Sequence, residues 1–237
     1  MDWSDGLPFG ATGGTAVKRP RQNRLTPFGT IEATHHRGTL MGNRGDLHAP
    51  DGSLGRQWRS RRWISCLLDT GDGWKAPMDK PGHNYPLFFH DEAVALAAGH
   101  RPCGECRPEA LATFIAAWKI GHGMIANAWV PLKEIDQQLH NARLAQMSER
   151  RRVDAATLPD GAFVWSPTID VRAMLVQNGW LWPWAHGGYS RPIAEASSSE
   201  PCFALTSAPF VRVLRAGYPV GSSSTGHSRR DWINLNR

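Results

Sequence analysis

Two cysteines three positions apart carry the strongest chemical signal in this chain. They stand in the run Arg101-Pro102-Cys103-Gly104-Glu105-Cys106-Arg107-Pro108. A Cys-x-x-Cys turn brings two thiolates about 3.5–4 Å apart, close enough to share one tetrahedral ion, with backbone amides to support the sulfurs. Adjacent arginines favour the thiolate form. A thioredoxin-like redox pair would open a helix after a strand, whereas here a short helix ending at Gly99 comes first. A metal pair is therefore the preferred reading, with a redox pair and two inert thiols as the alternatives. Zinc is the expected ion, on Cys103, Cys106 and an imidazole. His48 is the favoured third ligand, ahead of His83, His36 and His35. Cys66 shares a strand face with Ile64 and Leu68 and is expected to be a core thiol. Cys202 falls in a separate strand and is expected to be structural. A set of two sulfurs and two imidazoles and a set of two sulfurs, one imidazole and a water are both feasible, and the second would leave an open, potentially catalytic position on the ion.

The second dense segment is residues 34–48, with three His, two Arg, one Asn and three Gly between Thr34 and His48. It follows neither a helical nor a strand period and is expected to be a structured loop. Its glycines permit positive φ and close approach of a ligand. His36 is the candidate general base, Asn43 the group that orients water or reads a base edge, Arg44 with Arg37 the anion holder, and Asp46 or Glu32 the carboxylate that activates water or stabilises a cationic sugar transition state. The bland alternative is a loop whose His and Arg side chains bond only to backbone.

Residues 87–108 resemble the second half of the Ada-type metal-binding module. That half is a strand, a short helix containing the Glu92-Ala93-Val94-Ala95-Leu96-Ala97-Ala98-Gly99 run, and then Arg101-Pro102-Cys103-x-x-Cys106-x-Pro108. The likeness implies a zinc-binding, DNA-contacting module of the DNA-repair and nuclease kind. It covers 22 residues and implies nothing about residues 150–237. The module takes two further ligands from a Cys-x-x-x-Cys loop before the second strand, one of them the methyl acceptor. Residues 71–84, the corresponding loop here, contain no cysteine. Methyl transfer from phosphotriesters therefore gains no support.

The elements that must position these groups are legible in outline. Residues 61–69 read as a strand entered from the basic segment Arg56, Arg59, Arg61 and Arg62. A turn at 69–73 and a second strand at 85–89 follow. A helix over 91–98 stops at Gly99, and further helices are expected over 107–119 and 131–150. The last has Leu132, Ile135, Leu139 and Ala142 on one face. From about 154–157 the pattern turns β-like, with strands at 162–165, 180–184, 202–206 and 211–214. Trp180, Trp182 and Trp184 alternate along one of these, as one packed sheet face or, alternatively, a base-stacking platform. Asp160-Gly161 and His186-Gly187-Gly188-Tyr189 read as turns. Serine-rich residues 197–199 and 221–224 read as mobile loops.

The expected class is α+β: a basic, loosely ordered arm over 1–30, a mixed zinc module with helices over 31–150, and a β-rich part over 151–237. The 237 residues carry 27 Lys+Arg against 21 Asp+Glu, a net +6, with 11 Trp against 3 Tyr. Charged residues at 20% and apolar residues at 41% are ordinary globular usage. No apolar run approaches the ~18 residues of a membrane span, and Met1 to Gly14 lacks the pattern of a secretory signal. Four cysteines in this length do not make a disulfide framework, so a reducing, cytoplasmic setting is expected. DNA is the expected partner, gripped by Arg61, Arg62, Arg101 and Arg107. The leading expectation is a DNA hydrolase in repair or phage defence, cleaving an N-glycosidic bond as a DNA glycosylase does, or a phosphodiester. The alternative is a non-catalytic DNA-binding regulator with structural zinc.

Overall fold

A computed structural model describes residues 19–220, apart from 72, 74, 79 and 198. The described residues form an α+β protein of two sheets and four α-helices. The first sheet is built from β1 (Gln22–Leu25), β2 (Ile31–Ala33), β3 (Leu40–Asn43), β4 (Ile64–Leu67), β5 (Leu87–Phe89) and β6 (Arg101–Pro102), in the order β2-β1-β5-β3-β4-β6. Three helices follow from α1 (Glu92–Ala97), which precedes β6, through α2 (Pro108–Gly121) to α3 (Leu132–Ser148). The second sheet contains β7 (Arg152–Val153), β8 (Phe163–Ser166), β9 (Asp170–Gln177), β10 (Trp180–Ala185), β11 (Gly188–Tyr189), β12 (Ala194–Glu195) and β13 (Cys202–Ala204). Helix α4 (Ala208–Arg215) ends the described chain.

The short α1 is the hinge of the packing. The Asp91 carboxylate accepts from the Val94 amide at 2.8 Å and caps its first turn, and Gly99 at φ +86° closes it. Every residue from Glu92 to Ala97 is buried. Its alanines admit both sheets, so one core joins Leu25, Leu87 and Phe89 of the first sheet to Phe163, Leu175 and Trp184 of the second. A second core packs α2, α3 and α4 together through Phe114, Trp118, Ile135, Leu139 and Phe210. Each such side chain contributes about 1.5–3 kcal/mol on burial. The change of pattern near residue 154 marks where the second sheet begins, and apolar packing runs across it.

Four expectations need revision. Residues 40–43 are a strand at the centre of the first sheet, flanked by β5 and β4. Gly38 and Gly42 serve strand packing there: a Cβ on Gly42 would lie 2.2 Å from the Ile64 carbonyl oxygen, and one on Gly38 2.1 Å from that of Phe89. The proposed arm is ordered from Gln22 into β1, and its residues 1–18 lie outside the described set. Residues 211–214 belong to α4, because Phe210, Val211, Val213 and Leu214 face inward while Arg212 and Arg215 face out, a helical period. Strand β9 was not foreseen at all. Of the two serine-rich loops, 197–199 joins β12 to β13, and 221–224 lie outside the described residues.

Candidate metal centre and basic cleft

The Cys-x-x-Cys turn is set by pairing β6 alongside β4. The strands run parallel, with Ile64 opposite Arg101 and Ser65 opposite Pro102. The register continues one step further, where the Cys103 amide donates to the Ser65 carbonyl oxygen at 2.9 Å. Side chains alternate along a strand, so Ser65 points into the core and Cys66 to the opposite face. The buried Ser65 and half-buried Cys66 match that alternation. The Arg107 amide donates to the Cys103 carbonyl and folds Cys106 back beside Cys103.

The outcome is a cluster of three sulfurs, Cys66, Cys103 and Cys106, all within 4.8 Å of one another. Backbone amides face it: that of Glu105 donates to Cys103 Sγ and that of Leu67 to Cys106 Sγ, each at 3.4 Å. The Cys66 thiol, donating to Cys103, together with the Cys106 and Glu105 amides, holds the Cys103 thiol down at about 5. Its partnership with Cys103, and burial, push the Cys66 thiol up, and burial pushes up Cys106. Three sulfurs this close, two of them receiving amide hydrogens, could together hold a metal ion. Gly104 is tightly packed, since a Cβ there would meet Leu111 at 2.9 Å.

Cys66 is therefore a member of the cluster and not the expected core thiol. Its strand face is the less buried one, with Leu68 exposed on it. His48 stands outside the cluster. Its Nδ1 bonds to Asp46 at 2.8 Å and its ring packs on Tyr85 with centroids 4.8 Å apart, whereas the group that could hold a metal ion takes its third member from Cys66. His83 is exposed in its loop. Cys202 is buried in the core of the second sheet.

The arginines divide into two kinds. Arg101 and Arg107 are 2% and 4% exposed and point inward, so they do not meet phosphates. Arg101 clamps Asp136 of α3 with two bonds of 2.8 and 2.9 Å. Arg107 bonds to Ser65 Oγ at 2.9 Å and to Glu92 at 2.5 Å, where Tyr218 also donates. Both brace the sulfur turn against helices. Arg61 and Arg62 are exposed. With Lys133 and Gln137 they line a cleft of about 550 Å³ whose floor is the Arg101–Asp136 pair. Arg61 reaches across it to Gln137 at 2.6 Å. Arg101 is two residues from Cys103, about 7 Å along an extended chain, so cleft and sulfurs share β4 and β6.

The three residues proposed for catalysis do not converge. Arg44 is 1% exposed, lies flat over Trp63 at 3.9 Å, and donates to His100 Nε2 and to the carbonyls of Gly29 and Ala98. Its guanidinium is buried and bonded within the fold, which is a structural placement. Asn43 ends β3 opposite Ile64. His36 is exposed, with its ring against Gly187 of the second sheet's β10–β11 turn. Beside it lies a seam that the sequence did not reveal. There His186 Nε2 meets Glu32 at 3.0 Å and joins the two sheets, and Tyr189 donates to the buried Asp91 at 2.7 Å. Residues 186 and 187 form the β10–β11 turn while Gly188 and Tyr189 are strand β11, and Trp180, Trp182 and Trp184 grade from exposed to buried along β10. Comparison with family models, with curated proteins and with solved structures gives no match for this chain in any of the three.

Proposed function

We propose that this protein holds zinc on Cys66, Cys103 and Cys106 and uses the metal-braced edge of its first sheet to bind DNA. The observation that carries the reading is that one pair of strands ends at both features. Strands β4 and β6 lead from the Arg61–Arg62 rim to the three sulfurs. The ion would tie β4 to the 103–106 turn and so fix the rim that presents two guanidinium groups and the Lys133 ammonium. Guanidinium forks suit phosphate oxygens. The likeness of residues 87–108 to an Ada-type module and the net +6 charge support the same partner. Duplex DNA binding, followed by anisotropy of a labelled duplex, should weaken steeply between ~50 and ~200 mM salt, since each neutralised phosphate releases counterion. An affinity that ignores salt over that range would reject the reading.

A hydrolytic role has one observation in its favour. The Glu32 carboxylate meets the His186 ring, the arrangement by which a carboxylate orients an imidazole base, and the His36 ring lies against the adjoining Gly187. On this second reading His36 and His186 activate water, and Arg44 and Asn43 take no part. Release of base or cleavage of strand by the wild type but not by His186→Ala, with DNA binding kept, is the result this reading requires.

A further inference from the structure

The end of α2 and its connection to α3 present large apolar side chains to solvent. Trp129 is 83% exposed, Ile125 72% and Ile120 67%. Large side chains this exposed, grouped in one short segment, mark a contact surface. The segment is held in shape from within. The Lys119 ammonium donates to the Ala126 carbonyl at 2.9 Å, the Met124 amide to that of Lys119 at 2.8 Å, and the Ala128 amide to that of Ile125 at 3.0 Å. Below it, His122 stacks on the buried Trp118 with centroids 3.9 Å apart. A braced loop presents its indole at little entropic cost.

Its charge selects the partner. Residues 118–133 contain no Asp or Glu, and Lys119 and Lys133 stand towards their two ends. Trp129 is three residues from Leu132, which lines the basic cleft, so the two lie at most about 11 Å apart along the chain. An exposed indole within that reach of a cleft lined by Arg61, Arg62 and Lys133 fits a polyanion that has flat apolar faces, which is a nucleic acid whose bases are open.

We infer that the 120–129 loop is a wedge whose Trp129 ring stacks on an unpaired DNA base while Arg61, Arg62 and Lys133 hold the neighbouring phosphates. This inference rests on the DNA-binding reading above and narrows its substrate to DNA with an unstacked base: a bulge, a mismatch or a single strand. The wedge supplies the preference for open bases, and the cleft supplies the salt-dependent attraction.

The test uses the full chain and two labelled hairpin duplexes of one sequence, one fully paired and one with a single-nucleotide bulge. Wild type should bind the bulged hairpin about tenfold more tightly. Trp129→Ala should lose that preference, and Trp129→Phe should keep most of it. The salt dependence on the paired hairpin, set by Arg61 and Arg62, should persist in both. A Trp129→Ala protein that retains the preference, or a wild type that has none, overturns the wedge and leaves the DNA-binding reading standing. Failure to bind either hairpin overturns both. A wild type that sediments as a dimer, with Trp129→Ala a monomer of unchanged preference, assigns the patch to a second copy of the chain instead.

Discussion

The Cys103 amide donates to the Ser65 carbonyl oxygen at 2.9 Å, and that bond lands the Cys-x-x-Cys turn beside Cys66. A third sulfur 37 positions upstream thus reaches the pair by strand register alone. Ser65 also ties the turn to the core, since its hydroxyl accepts from Arg107.

The two buried arginines near the turn should behave as structure. Arg101→Ala leaves Asp136 buried without its cation, a loss of about 3–5 kcal/mol. The exposed Arg61→Ala should stay within about 0.5 kcal/mol of wild type. Urea denaturation of the two variants separates these roles, and equal stabilities would contradict the inward placement of Arg101.

DNA binding should report the opposite ranking. Replacing Arg61 and Arg62 together by Ala removes up to two phosphate contacts and should flatten the log–log salt slope by about 2. A double variant with the wild-type slope would move the DNA surface away from the cleft.

Gly42 has no room for a methyl group, because a Cβ there would lie 2.2 Å from the Ile64 carbonyl oxygen and 2.7 Å from the Phe89 ring. Backbone cannot swing aside as a flexible side chain does. Gly42→Ala should destabilise by about 1–3 kcal/mol, whereas alanine at the exposed Arg37 should cost little. Thermal melts of the two proteins check the contrast.

His100 is fully buried, and it accepts from Arg44 Nε through its own Nε2. Burial, then the Arg44 charge, holds its pKa well below the ordinary histidine value. The folded state thus takes up this proton less readily than the unfolded chain. The stabilising contribution is complete above about pH 6.5 and is lost as pH falls below it. The stability difference between wild type and His100→Gln should therefore shrink from pH 7.5 to pH 5.5. A difference that grows on acidification would mean the ring is charged in the fold.

Local signals carried the parts of this fold that the sequence made legible. Asp91 and Gly99 bracket α1 because a cap and a positive-φ stop are decided within a few residues. The Cys103–Cys106 pair was visible for the same reason. Cys66 was not, because its role depends on which strand face turns inward, and Ile64 and Leu68 suggested the wrong one. Arg101 and Arg107 looked like surface cations, since Asp136 and Glu92 meet them only in the folded chain. Two misses had readable signals. Asn178 at φ +52° and Gly179 at +77° make the tight turn between β9 and β10, and an Asn-Gly pair announces such a hairpin. Valines 211 and 213 suggested a strand, yet the spacing of Arg212 and Arg215 is helical.

Metal content measured side by side on wild type and Cys66→Ser tests the centre most directly. Elemental analysis should find about one zinc per wild-type chain and a stoichiometry near zero, with a lower melting temperature, in Cys66→Ser. A folded wild type without metal, or a Cys66→Ser protein that keeps a full complement, would show that these three sulfurs do not hold the ion.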